Sequence, residues 1–115
     1  RAARITPTVA KAAVGAVEYL PITLVGGLPA AIEEMRAAGI WVVGLDAGGE
    51  RPVHDLELAS EGVCLVLGAE GPGLSRLVRE RCDLIASIPL RGHLDSLNVA
   101  SAGAVACFEV ARHRA

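Results

Sequence analysis

Three stretches of this chain carry residue types that could do chemistry at a spacing that brings them together. Gly68-Ala69-Glu70-Gly71-Pro72-Gly73 puts a carboxylate among glycines just after an aliphatic run. Leu90 to Asn98 holds His93, Asp95, Ser96 and Asn98 within a few residues, and Asp46 to Gly49 is a shorter acidic and glycine-rich loop. The first stretch is neither a GxGxxG loop, since Glu70 stands where the middle glycine belongs, nor a Walker A loop, since Leu74 follows Gly73 where lysine is needed. A carboxylate would repel a phosphate, so a phosphate cradle is not expected. What remains is backbone able to approach a ligand closely, with a helix N-terminus just beyond. Two readings of Glu70 stand at this point: a ligand-facing carboxylate, or a side chain that offsets the dipole of the following helix.

His93, Asp95 and Ser96 are too close in sequence to converge as a hydrolase triad, and no GxSxG elbow is present. His54, His93 and His113 share no metal-ligand spacing, so no metal is expected. Ser96 and Asn98 are ordinary capping residues at the start of a helix, and capping is the default role for either one alone.

The elements needed to position these loops can be read from periodicity. Pro7 to about Val17 is expected as a short helix behind Thr6, Leu20 to Val25 as a brief strand, and Pro29 to Ala38 as a helix closed by Gly39. Ile40 to Leu45 and Val63 to Leu67 read as buried strands, Leu74 to Arg81 as a helix, and Leu84 to Leu90 as a last strand that Pro89 ends or puts at an edge. Ser96 to about His113 is apolar nearly all round, which predicts a helix buried on more than one face. Strands alternating with helices imply an α/β fold with a mostly parallel sheet flanked by helices. In such sheets ligands bind at the carboxyl ends of the strands, where all three chemical stretches fall. No repeat, linker or low-complexity segment divides residues 1–115, which read as one unit.

Composition supports this class. Of 115 residues, 52% are hydrophobic and only 3% aromatic, so the core must be built from Val, Leu, Ile and Ala. The formal net charge of −2 leaves no overall basic footprint for nucleic acid, so any such contact must be local. Ten arginines and one lysine supply the positive charge; Arg76, Arg79, Arg81 and Arg91 are neighbours in sequence, suited either to phosphate contact or to a solvated helix face. Three widely spaced cysteines, Cys64, Cys82 and Cys107, suggest neither a disulfide framework nor a CxxC metal site. With no apolar run of roughly 18 residues and no leader-like opening, a soluble protein of the reducing cytoplasm is expected, with no membrane partner.

The segment LVLGAEGPGLSRLVRERCDLIASIPLRGHLDSLNVASAGAVACFEVARHR resembles the last two motifs of the SpoU/TrmH branch of the SPOUT RNA 2′-O-ribose methyltransferases. Those motifs are a Gly-x-Glu-Gly-x-Gly loop after a strand, then Ile-Pro, a short gap, and Ser-Leu-Asn-Val opening the final helix; residues 63 to 114 carry them in order. The earlier ITPTVAKAAVGAVEYLPI and IWVVGLDA are also similar to this family, most closely to members acting on large-subunit ribosomal RNA.

The resemblance implies an α/β trefoil knot, which neither composition nor periodicity could reveal and which is otherwise nearly absent from proteins. It implies S-adenosylmethionine as cofactor, held by Gly68, Ile88 and Leu97, and it matches Glu70, Ser96 and Asn98 to the family's polar active-site positions around the target ribose, none of them singled out as the base. The implied reaction is in-line methyl transfer to a ribose 2′-hydroxyl of RNA, with guanosine of 23S ribosomal RNA the first expectation and transfer RNA the alternative. A homodimer is implied, the final helix being a candidate surface. In this family an arginine of the first motif, beside an asparagine, is assigned to assisting proton loss, and no Asn-x-Gly…Arg stretch lies upstream of Thr6. Residues 1–115 are therefore expected to be the C-terminal part of one catalytic domain, weak or inactive alone. That gap keeps open a noncatalytic RNA-binding or dimerisation module that retains the pocket; an ordinary nucleotide-binding βαβ unit is the remaining alternative.

Overall fold

The computed structural model describes residues 19–57, 61–69, 72–90 and 98–114. Helix α1 (Leu28–Ala37) starts behind Gly27 with proline in its first turn. It closes where the amide of Gly39, at φ 84°, donates to the Arg36 carbonyl at 3.0 Å. The chain then enters β1 (Trp41–Leu45). A two-residue strand β2 (Arg51–Pro52) and a 3-10 turn, Val53–Asp55, follow. After them come β3 (Val63–Leu67), α2 (Arg76–Arg81), β4 (Leu84–Ser87) and α3 (Val99–Arg114).

The four strands form one sheet in the order β2-β4-β1-β3, with every pairing parallel. Alternation along β1 decides what covers each face. Val42 joins Val66, Ile85, Ile32 of α1 and Val78 of α2 in one cluster. Val43 and Leu45 join Ala86, Val53, Leu56 and Ala106 of α3 in the other. The sheet is thus sandwiched between α1 with α2 on one side and α3 with the 3-10 turn on the other. Ile32, Val42 and Val43 are fully buried, each contributing about 1.5–3 kcal/mol of apolar burial. The core is built from aliphatic side chains, as the composition demands; Tyr19, Trp41 and Phe108 are all exposed.

One polar clamp fixes the amino-terminal edge of the sheet. Asp83 accepts from the Val42 amide at 2.7 Å and from Arg36 Nε at 3.0 Å, while its own amide donates to the Val42 carbonyl at 2.8 Å. This joins α1, β1 and β4 at the edge opposite the loops of interest.

Several expectations need correction. Leu20 to Val25 forms no strand: these residues are exposed and irregular, and Pro21 offers no backbone donor to a neighbouring strand. The expected Leu84–Leu90 strand ends at Ser87, two residues before Pro89. Helix α3 is not buried on several faces: among its described residues only Ala106 is buried, while Val105 and Phe108 stand exposed. Alanine-rich apolarity had stood in for burial. The expected helix from Pro7 to Val17 lies outside the described residues.

Candidate functional site

The parallel register sets three strand ends side by side. Leu45 pairs with Leu67 of β3 and with Ala86 of β4. One step further along, Asp46 therefore lies between Gly68 and Ser87, with Ile88 next beyond Ser87. Strands are spaced about 4.8 Å apart, so the ends of β3 and β4 face each other across the end of β1 at roughly twice that distance. Gly68 and Ile88, assigned to one pocket on sequence grounds, occur on the same edge of the sheet.

The loop after β3 closes on itself. Ala69 and Gly73 form an antiparallel bridge, the Ala69 amide donating to the Gly73 carbonyl at 3.2 Å and the Gly73 amide to the Ala69 carbonyl at 2.9 Å. Gly73 holds φ at 71°, in the left-handed region where side chains are costly. Gly68 is needed for a different reason: a β-carbon there would lie 2.2 Å from the Gly73 carbonyl carbon and 2.4 Å from the Leu74 nitrogen. Chain leaves the loop into α2 through Ser75, whose Oγ accepts from the Val78 amide at 3.3 Å. Serine at that position is an N-cap, so α2 begins at Arg76 and not at Leu74 as expected.

Asp46 and Arg79 are the residues that sequence reasoning missed. The Arg79 guanidinium of α2 donates to the Asp46 carboxylate, and the Asp46 amide donates to the Ala86 carbonyl at 3.0 Å. Both lie in stretches already singled out, but 33 positions separate them and no local spacing could pair them. Two other arginines of the cluster are also engaged with nearby carboxylates, Arg76 with Glu80 at 3.1 Å and Arg81 with Glu33 at 3.5 Å.

Asn98 caps α3. Its Oδ1 accepts from the Ala100 amide at 2.8 Å, and its carbonyl accepts from the Ala102 amide at 2.9 Å. Ile88 is half-buried on the α3 side of the sheet, packed against the cluster that contains Ala86 and Ala106. Glu70, Ser96 and Leu97 lie outside the described residues. Neither a group of three or more potential metal ligands nor a helix long and apolar enough to cross a membrane occurs among the described residues. A separate, largely polar groove runs beside β2 between Arg51, His54, Asp55 and His113, and Gly68, Ile88 and Asn98 do not line it.

Residues 1–108 match the model of the SpoU rRNA Methylase family. The chain belongs to that family. It is 42% identical over 114 residues, 99% of its length, to the 23S rRNA (guanosine-2′-O-)-methyltransferase RlmB of Coxiella burnetii, of which it spans 45%. An AdoMet-bound rRNA methyltransferase from Sinorhizobium meliloti superposes with a TM-score of 0.85 at 32% identity, over 93% of this chain and 41% of that one. An enzyme described through the 2′-OH methylation of C/U34 on tRNA superposes at 0.82 with 29% identity, over 94% and 69%. The chain thus spans a little under half the length of the curated relative.

Proposed function

We propose that the protein transfers the methyl group of S-adenosylmethionine to a ribose 2′-hydroxyl of RNA, with guanosine of 23S ribosomal RNA as the first substrate. One observation carries this reading: the glycine loop after β3 and the end of β4 flank the end of β1 at the edge where parallel sheets bind ligands. S-adenosylmethionine supplies an electrophilic methyl on a sulfonium. Gly68 and Ile88 suit its adenosine part, strand-end backbone for the polar edges and an aliphatic side chain for a flat face; Leu97 is assigned to the same pocket by the family resemblance alone.

Glu70, Ser96 and Asn98 are assigned to holding the target ribose and the loops around it, so that the hydroxyl lies in line with the transferable methyl. Such positioning supplies much of the rate in a transfer of this kind. Family membership and the likeness to an AdoMet-bound rRNA methyltransferase support the cofactor, and the relation to a 23S rRNA guanosine methyltransferase supports the substrate. Transfer RNA is the second reading, favoured by the likeness to an enzyme of C/U34. A homodimer is proposed as the working unit, with the exposed Val105 and Phe108 of α3 as part of its surface.

The test uses the complete gene product, methyl-labelled S-adenosylmethionine, and separate 23S rRNA and tRNA transcripts, followed by nucleoside analysis. The expected product is 2′-O-methylguanosine from the ribosomal transcript. Label on 2′-O-methylated tRNA alone selects the second reading. Binding of the cofactor without transfer to either RNA leaves a noncatalytic module and defeats the enzyme reading.

A further inference from the structure

We infer that Asp46 and Arg79 act as positioning residues for the methyl donor, tying the glycine loop to the end of β1; the inference rests on the cofactor reading above. Asp46 is the first residue past β1, and its groups reach three neighbours. Its amide is bonded to Ala86 at the end of β4 at 3.0 Å. Its carboxylate binds Arg79 of α2, the helix that the glycine loop leads into. The same carboxylate borders Gly73, where a β-carbon would lie 3.2 Å from Oδ2 and 3.4 Å from Oδ1. One residue therefore touches the end of β4, the helix beyond the glycine loop and the loop's last glycine at once.

The pair is not what holds α2 on the sheet. Leu74 and Val78 already anchor that segment in the core, 7% and 6% exposed. The Asp46 and Arg79 side chains are 21% and 36% exposed, against 92% and 58% for Arg76 and Glu80. A partly shielded pair is screened less and constrains its partners more than one in open water. Loss of the pair should move the loop before it unfolds the domain, because the apolar anchor stays in place.

The experiment is calorimetric titration of the complete protein with S-adenosylhomocysteine, paired with thermal unfolding, in wild type, Asp46→Asn, Arg79→Gln, Arg79→Lys and the control Asp83→Asn. Asp83 makes comparable bonds at the opposite edge of the sheet. The expected result is that Asp46→Asn and Arg79→Gln weaken binding at least about tenfold. Arg79→Lys recovers part of the loss, and Asp83→Asn lowers Tm with Kd unchanged. Wild-type affinity in both Asp46→Asn and Arg79→Gln overturns the inference while leaving the cofactor reading intact. So does a loss that merely follows Tm across all variants, Asp83→Asn included. A wild-type protein that binds no S-adenosylhomocysteine overturns the cofactor reading, and this inference with it. Should Asp46→Asn fail to fold, the two Arg79 variants decide alone.

Discussion

Gly68 and Gly73 approach so closely that a β-carbon on Gly68 would lie 2.2 Å from the carbonyl carbon of Gly73. Nothing flexible stands in the way to yield, since both contacts are backbone. Gly68→Ala must therefore open the Ala69–Gly73 bridge or bend β3. The expected cost is about 1–3 kcal/mol of stability, with loss of S-adenosylhomocysteine binding beyond what the lower Tm explains. Thermal unfolding and calorimetry on the same preparation check both parts.

Asp83 offers the opposite case. Its carboxylate satisfies the Val42 amide and the Arg36 guanidinium at the edge of the sheet away from the proposed pocket. Asp83→Ala leaves that amide unpartnered, at an expected cost of about 1–3 kcal/mol. Denaturant unfolding should show the loss, and methyl transfer measured well below Tm should stay near wild type.

Asn98 can be split between its two roles by substitution. Its side-chain oxygen caps α3, and Asp can do the same, whereas Ala cannot. Asn98→Ala should cost about 1 kcal/mol, while Asn98→Asp should keep the stability of wild type. If the amide also holds the target ribose, both variants lower kcat for methyl transfer. A fully active Asn98→Asp would reduce this residue to a cap.

Cys64 and Cys82 carry pKa values raised above that of an ordinary thiol. Burial is the cause at Cys64; at Cys82 burial comes first and the neighbouring Asp83 carboxylate adds to it. A raised folded-state value means the native protein holds its protons where the unfolded chain has released them. The linked stability is therefore present below the ordinary thiol pKa and fades as pH rises through the raised folded values. Tm should fall on the alkaline side, and at neutral pH a thiol reagent should label these two far more slowly than in denaturant. Cys107 is exposed on α3, so its labelling also reports on the proposed dimer. Rapid reaction in monomer and dimer alike would remove that stretch of α3 from the interface.

Much of the fold was legible because buried parallel strands announce themselves as aliphatic runs. β3 matches its expected bounds from Val63 to Leu67, and β1 differs by one residue. The same logic fails for Leu20 to Val25: an apolar run says that a segment could pair, not that a neighbouring strand is there to receive it. It fails for α3 too, since alanine is apolar without needing burial. β2 escaped notice because two residues carry no period. Local geometry was readable where it depends on neighbouring residues, in the glycine loop and the Asn98 cap. The Asp46–Arg79 pair was not, because it exists only once β1 and α2 have packed.

The most direct test of the account follows backbone amide resonances while S-adenosylhomocysteine is titrated into the protein. Gly68 and Ile88 should shift together in one saturable step, accompanied by Leu97 and by Asp46 between the strand ends. Shifts confined to the groove around His54 and His113, or an affected Gly68 with Ile88 and Leu97 unmoved, would contradict it.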